Sequence, residues 1–272
     1  MTDVLTVIGV GGMGEAIARR LGSGKTVLLA DYNEETLASV FKSLSAAGHH
    51  VESRSVDVAS PESVRGLAEY ADSLGSVTQV AHTAGLSPSQ ASAEAILAVD
   101  LLGTALVLQQ FGEVVAPGGA GVVIASMAGH MFPPLTAEQE RALAHHPPGE
   151  LLTLDFIGSI TDPNFAYPIA KQANHIRVRA ASAQWGRRGA RVNSISPGII
   201  STPMSQQELA SPVGDGMRGM IAMSATGRIG TPEDIASATA FLLGPGGSFI
   251  TGTDLLVDGG VIAAIRAGSP PS

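Results

Sequence analysis

The chain has 272 residues, 44% of them hydrophobic, enough to bury one large core in a single α/β domain. Its net charge of −8 and pI near 5.3 argue against nucleic acid or an anionic membrane surface as a partner. There is no cysteine, which excludes disulfides, cysteine nucleophiles and thiolate metal ligands. The first residues show neither a basic n-region nor a cleavage pattern, and no apolar stretch is read as approaching membrane-spanning length, so a soluble, cytoplasmic protein is expected.

Short apolar runs at 4–9, 26–31, 51–57, 77–82, 121–126, 190–195 and 253–257 read as strands, with amphipathic helical patterns between them. Such alternation predicts an α/β fold: a doubly wound parallel sheet of about seven strands with helices on both faces. No internal repeat, charge block or linker divides the chain, so residues 1–266 are expected to form one domain. Within it a Pro/His-rich stretch falls at about 130–163 and a Gly/Met-rich stretch at about 199–226. Residues 267–272 read as a flexible tail.

The first strand runs into Gly9-Val10-Gly11-Gly12-Met13-Gly14 and then a helical pattern, so these glycines sit at a strand-to-helix turn. A side chain there would keep the backbone from a pyrophosphate, whose charge rests on the helix N-terminus. The second strand ends at Asp31, where a carboxylate can accept hydrogen bonds from both ribose hydroxyls and repels a 2′-phosphate. No Arg or Lys follows in Tyr32-Asn33-Glu34, which favours NAD over NADP. A helix N-cap before residues 34–47 is the plainer reading of Asp31.

Tyr167 and Lys171 lie four residues apart, on one face of a helix expected over 165–186. A free phenol titrates near about 10, and an ammonium within roughly 4–6 Å favours the phenolate by about 1–3 units. Ser126 ends the fifth strand, and its hydroxyl can hold a carbonyl or alcohol oxygen beside that phenol. The set is a proton-transfer site in outline, although Y-x-x-x-K alone is also what an aromatic residue and a solvated lysine on one helix face look like.

Taken together these residues resemble the short-chain dehydrogenase/reductase family, with a Rossmann-type sheet. Matching segments occur in order: the glycine turn, Asp57-Val58, Ala84-Gly85, Ser126, Tyr167 with Lys171, Asn193-Ser194-Ile195-Ser196-Pro197-Gly198 continuing to Thr202-Pro203-Met204, Gly227-Arg228-Ile229-Gly230-Thr231-Pro232, and Val257-Asp258-Gly259-Gly260. The resemblance implies an NAD-dependent oxidoreductase interconverting a secondary alcohol and a ketone. It implies Tyr167 as acid/base, Lys171 as the group that lowers its pKa and binds the nicotinamide ribose, and Ser126 as the residue orienting the substrate oxygen. It places Asp57 and Val58 against the adenine, Ala84 and Gly85 along the cofactor path, and Ile200 with Thr202, beyond Pro197 and Gly198, at the nicotinamide carboxamide. Relatives are commonly homodimers or homotetramers.

The departures are specific. The family's first glycine falls on Ile8, so the turn reads more like a generic dinucleotide fingerprint through Gly9, Gly11 and Gly14. His82-Thr83 stands where two asparagines are common. The family's catalytic asparagine falls on Asp100, which a plain reading makes a helix-face acid. In relatives that residue acts mainly through its backbone carbonyl, so a carboxylate there keeps the geometry while setting a negative charge near Lys171. Ser126 and Tyr167 are separated by an insertion at about 130–163 that starts a helix at Thr136 and is similar to one marking the bacterial 3α-hydroxysteroid dehydrogenase/carbonyl reductase type.

Other residues have plainer readings. Adjacent His145 and His146 read as a solvated loop with no metal-ligand spacing. His49 and His50 read as serving the C-terminal dipole of the second helix. Gln184-Trp185 reads as packing or a subunit contact. Met204, Met217, Met220 and Met223 fall in a segment that the resemblance makes a substrate lid, and favour an apolar substrate. A catalytically silent dinucleotide-binding regulator and a sugar-nucleotide epimerase or dehydratase are the competing functions.

Overall fold

The computed structural model describes residues 2–210 and 214–268. Seven strands form one parallel sheet: β1 (Asp3–Ile8), β2 (Thr26–Asp31), β3 (His50–Ser55), β4 (Ser76–His82), β5 (Val115–Ile124), β6 (Arg191–Pro197) and β7 (Asp254–Val257). Their order is β3-β2-β1-β4-β5-β6-β7. All seven expected strands form, with β5 starting earlier, where Val115 pairs with Val77, β3 stopping at Ser55 and β6 running on to Pro197. The winding reverses between β1 and β4, which opens a crevice at the carboxyl ends of the strands, the place where such sheets bind ligands.

On one flank run α1 (Gly12–Leu21) and α2 (Glu34–Ala46), and α3 (Pro61–Leu74) follows β3. Asn33 caps α2, its side chain accepting from Thr36 N, so Asp31 is not the helix cap. After β4 come α4 (Ala93–Ile96), a π-helical turn (Leu97–Gly103) and α5 (Thr104–Val114), which form one continuous helical run. Contrary to the sequence expectation, Ala93–Val114 is long and apolar enough to cross a membrane, with a mean hydropathy of 1.6. Its window is 67% buried, with Leu101, Leu106, Leu108 and Phe111 in the core of this fold.

Between β5 and β6 lie α6 (Ala128–Met131), α7 (Ala137–His145), a 3-10 turn (Pro148–Thr153), α8 (Asp155–Gly158) and α9 (Pro163–Arg187). The inserted residues fold onto α9: Leu143, Leu151 and Ile157 are fully buried in one cluster with Ile96, Ala166, Ile169 and Ala173. Thr136 and Gln139 make a capping box at the start of α7, as its sequence suggests. At its end, Arg177 Nη1 on α9 donates to the carbonyls of Leu143 (3.1 Å), Ala144 (3.4 Å) and His146 (2.8 Å), which satisfies acceptors that a helix terminus leaves free. His145 is exposed, but His146 is half-buried with Nδ1 bonded to Ala142 O at 3.0 Å, so the solvated-loop reading fails for it.

After β6 come α10 (Pro203–Leu209), α11 (Gly214–Met223) and α12 (Pro232–Leu243), then a 3-10 turn (Pro245–Gly247), and α13 (Val261–Ala267) follows β7. After α2 stops at Ala46, Gly48 turns the chain at φ +88°, His49 N donates to Leu44 O at 3.1 Å, and His50 opens β3. Trp185 packs as expected, 1% exposed, with Nε1 donating to Leu108 O at 3.0 Å. Residues 211–213, the Met204 side chain and the 269–272 part of the expected tail lie outside the described residues.

Candidate active site

The glycine turn divides its work. Gly9 has φ +88°, and a Cβ there would stand 2.4 Å from Ala84 N, so this position needs glycine on both counts. At Gly14 a Cβ would stand 1.9 Å from Gly9 O, which lets α1 close onto β1. Gly11 is the N-cap of α1, and a Cβ on it would meet nothing within 4 Å. The first turn of α1 therefore presents free backbone N–H groups to open space. Gly12 faces the Thr202 methyl, 3.3 Å from a Cβ placed on it. The Met13 side chain packs against Ile200, Ile235 and Leu242, so the cofactor role expected of it falls to its backbone.

Asp31 closes β2 beside this turn. Its Oδ2 accepts from Val10 N at 2.7 Å and its Oδ1 from Asn33 N at 2.8 Å, fixing the carboxylate while each oxygen keeps acceptor capacity. Asp57 is exposed at the same end of the sheet, with Oδ1 accepting from Ala59 N at 2.9 Å. The Val58 side chain is 6% exposed and packs against Gly103, so a part in cofactor binding falls to its backbone. Ala84 N donates to Ile8 O at 2.9 Å, and Ala84 and Gly85 line the crevice between β1 and β4.

Ser126 follows β5, and its Oγ accepts from Ala128 N at 3.1 Å. Tyr167 and Lys171 lie in the first half of α9, whose N-terminus is set by Asp162 as cap and Pro163 at the first helical position. Lys171 Nζ is 5.4 Å from the Tyr167 ring centroid, and the Ser126 hydroxyl is near enough to the phenol to favour its ionised form. The three residues thus converge, as the sequence implied. Gly85 leaves the room: a Cβ there would stand 3.0 Å from Asp100 Oδ1 and 3.1 Å from Lys171 Nζ.

Asp100 is no helix-face acid. The π-helical turn carries it inward, where it is 0% exposed, its Oδ1 accepting from Leu86 N at 2.9 Å and its Oδ2 3.5 Å from Lys171 Nζ. The Asp100 carbonyl accepts from Thr104 Oγ1 at 2.8 Å. With its amide oriented to suit its neighbours, Asn174 Nδ2 also donates there at 2.9 Å. Both acceptor positions of the carbonyl expected to matter are occupied by protein donors, and the side chain is what meets the lysine.

The electrostatics follow from this burial. Desolvation pushes the Tyr167 phenol above 10, and the Lys171 charge and the Ser126 hydroxyl only partly offset it. Lys171 lowers the phenol as the sequence implied, but burial outweighs it in the free protein. Asp100 is pushed up by burial against the opposing pull of Lys171 and Leu86 N–H. Burial lowers Lys171, but Asp100 and Tyr167 outweigh it, so its pKa is raised and it is an ammonium at neutral pH. His82, 1% exposed and 3.3 Å from Thr104 Oγ1, is lowered to about 3 by burial and then by Lys171, and is neutral.

The segment after β6 closes the site. Met127 N donates to Pro197 O at 2.9 Å and Gly198 N to Val257 O at 2.9 Å; a Cβ on Gly198 would stand 2.7 Å from Asp258 Cα. Ile200 is 7% exposed and bridges Gly230, so its side chain belongs to the core and its backbone to the site. Thr202 caps α10 above Gly12. Met217 and Met220 pack against a cluster of Met127, Ile199, Val261 and Ile262. Sequence reasoning missed Glu208, which accepts from Ser89 Oγ at 2.8 Å and whose charge reaches Tyr167. It also missed a cluster of His130, His175 and Asp254, whose members are too far apart in the chain to form a motif.

The residues fit a dinucleotide: the fixed carboxylate of Asp31 stands at a ribose end, the α1 N-terminus at Gly11 takes the pyrophosphate place next to it, and the buried ammonium of Lys171 stands at the other ribose end. Comparisons with known proteins agree. Residues 3–137 match the family model described as short chain dehydrogenase, and residues 132–262 the one described as enoyl-(acyl carrier protein) reductase. The chain is 41% identical over 268 residues to short-chain dehydrogenase/reductase bsc3 of Alternaria brassicicola, covering 96% of each. It is 30% identical over 268 residues to galactitol 2-dehydrogenase (L-tagatose-forming) of Cereibacter sphaeroides, covering 93% of this chain and 92% of the relative. A solved glucose/ribitol dehydrogenase structure from Brucella melitensis superposes with a TM-score of 0.74 at 26% identity, covering 96% of each chain. The chain belongs to the short-chain dehydrogenase/reductase family, oxidoreductases that use a nicotinamide dinucleotide to interconvert alcohols and ketones.

Proposed function

We propose that this protein is an NAD-dependent oxidoreductase acting on a secondary alcohol or its ketone, with Tyr167 as acid/base. The observation that carries this reading is the convergence of Ser126, Tyr167 and Lys171, from two different segments, on the crevice that begins at the glycine turn. The bound nicotinamide supplies the hydride acceptor. Ser126 Oγ holds the substrate oxygen, and Tyr167 takes the hydroxyl proton in oxidation and returns it in reduction. Lys171 stabilises the phenolate by charge and reaches the nicotinamide ribose. Asp100 Oδ2 takes part of the ammonium's field, a positioning part that the family's asparagine plays through its carbonyl. Holding the reacting atoms in line is the contribution of the fold.

NAD rather than NADP is supported by Asp31: its carboxylate is fixed by two backbone N–H groups where a 2′-phosphate would lie, and no cation follows it before Lys42. Gly9, Gly12, Gly14, Asp57, Ala84, Gly85, Pro197, Gly198 and Thr202 shape the remaining cofactor path, with Val58, Met13 and Ile200 contributing backbone only. The methionines of α11 support an apolar substrate body beneath the lid. A substrate with several hydroxyls is the second reading: Glu208 and Ser89 put acceptors near Tyr167, and one relative is named a galactitol 2-dehydrogenase. A homodimer or homotetramer is the assembly proposed, for which elution volume and scattering mass are the check.

Absorbance at 340 nm over a panel of apolar cyclic alcohols and polyols, each with NAD and with NADP, tests the reading. Turnover with NAD and at least one alcohol class is expected. Asp31→Ala is expected to weaken NAD about tenfold or more while leaving NADP little changed. Equal weakening of both would remove the coenzyme assignment, and absence of turnover across the panel would favour a silent dinucleotide-binding protein.

A further inference from the structure

His130, His175 and Asp254 come from three separate elements and meet on the side of α9 facing β6 and β7. His130 is on α6, in the turn after Ser126. His175 is on α9, one helical turn beyond Lys171. Asp254 opens the edge strand β7. His130 Nε2 lies 2.7 Å from Asp254 Oδ2 and His175 Nε2 3.5 Å from Asp254 Oδ1. The imidazoles lean on one another with centroids 4.7 Å apart, and the three ligand atoms lie within 4.8 Å of one another.

The arrangement is not a hydrolytic triad. His175 meets both the Ser196 hydroxyl (2.8 Å) and the carboxylate through the same nitrogen, so no imidazole bridges a serine to an acid. Nor is a second imidazole needed to satisfy the carboxylate: Asp254 Oδ1 already accepts from Ser194 Oγ at 2.6 Å and Ser196 Oγ at 3.1 Å. Two histidines aimed at an acid that hydroxyls already hold is the pattern of a ligand set with its supporting shell. The side chains are 22%, 16% and 11% exposed, which leaves an entry path.

From this geometry we infer that His130, His175 and Asp254 form a binding site for a divalent transition-metal ion of the zinc type. Two imidazoles and one carboxylate suit zinc, cobalt or nickel better than magnesium or calcium, which prefer all-oxygen shells. Ligands about 2.0–2.2 Å from a tetrahedral ion stand roughly 3.3–3.6 Å apart. The His175–Asp254 contact is already at that separation through Oδ1, and the His130–Asp254 contact through Oδ2 must open by less than about 1 Å as the metal replaces their shared proton. The carboxylate turns so that the set, now within 4.8 Å, draws together on the ion. A water completes the shell. The ion touches neither Tyr167 nor the cofactor crevice; it ties the segment after Ser126 and the Tyr–Lys helix to the edge strand. Its effect is on order and stability, and it stands whether or not the alcohol chemistry proposed above is right.

The test is Zn²⁺ titration of the full chain after chelator treatment, by calorimetry and thermal melting, with Co²⁺ as a spectroscopic probe. One equivalent is expected to bind with micromolar affinity or better and raise Tm, and Co²⁺ is expected to show visible bands of low-coordinate geometry. His130→Ala and Asp254→Asn are expected to lose binding by 100-fold or more, and Ser194→Ala, which leaves the ligands in place, by about 10-fold. A double variant, His145→Ala with His146→Ala, is expected to bind as the parent does. Absence of a one-equivalent transition in the parent overturns the site. So does unchanged affinity in the Asp254 and Ser194 variants, or loss of binding in the His145/His146 control, which would assign the metal to surface histidines instead.

Discussion

Replacing Asp100 by asparagine isolates the least ordinary feature of the site. Asparagine keeps an oxygen for the Leu86 N–H at 2.9 Å and the burial of the side chain, but removes the negative charge 3.5 Å from Lys171. The ammonium, 5.4 Å from the ring centroid, favours the phenolate. Asp100 acts on the same phenol in the opposite sense and more weakly than Lys171, so its removal lowers the phenol. The sign follows: without the carboxylate the Tyr167 pKa falls, and the acid limb of kcat/KM for alcohol oxidation moves to lower pH. Steady-state oxidation from pH 6 to 11 for parent and Asp100→Asn reads this directly, with a melting curve to show that the fold is kept. An acid limb that stays in place, or moves upward, refutes an ionised Asp100 coupled to the base.

Two further predictions concern the framework. His82 is neutral in the folded protein with a pKa of about 3 but takes up a proton near 6.5 when unfolded, so stability is unaffected above 6.5 and is lost as pH falls from 6.5 toward 3. The loss reaches about 2 kcal/mol at pH 5, and urea unfolding at pH 7.5 and pH 5 should show it shrinking in His82→Gln; an equal loss in both proteins assigns the acid sensitivity elsewhere. Trp185→Phe removes the Nε1 bond to Leu108 O and part of the ring packed over Gly121, at about 2 kcal/mol measured by circular dichroism in urea. A cost below about 0.5 kcal/mol would deny Trp185 its packing role.

The strand positions were legible because buried parallel strands read as apolar runs ended by glycine, proline or a polar residue, and Asp31, Ser126 and Pro197 mark three of those ends. The convergence of Ser126 with Tyr167 and Lys171 was legible through four-residue helical spacing and family pattern. Burial was not. Asp100 looks like any acid on an apolar helix, and only the π-helical turn over Leu97–Gly103 directs it inward. Val58, Met13 and Ile200 match cofactor positions in pattern, yet their side chains turn into the core because each segment must cover its own strand. The core burial of Ala93–Val114 depends on α9 and the inserted residues packing over it, which composition does not encode. The His130, His175 and Asp254 cluster arises from three segments brought together by sheet order alone.

The most direct measurement on the account as a whole is the kinetics of Tyr167→Phe beside its NAD affinity. The exchange removes one hydroxyl from a side chain beside Ser126 and Lys171, and leaves the glycine turn and Asp31 untouched. A loss of kcat by 10³-fold or more, with NAD binding within about threefold of the parent by fluorescence titration, is the expected result. Turnover within tenfold of the parent would mean that the proton is carried by some other group.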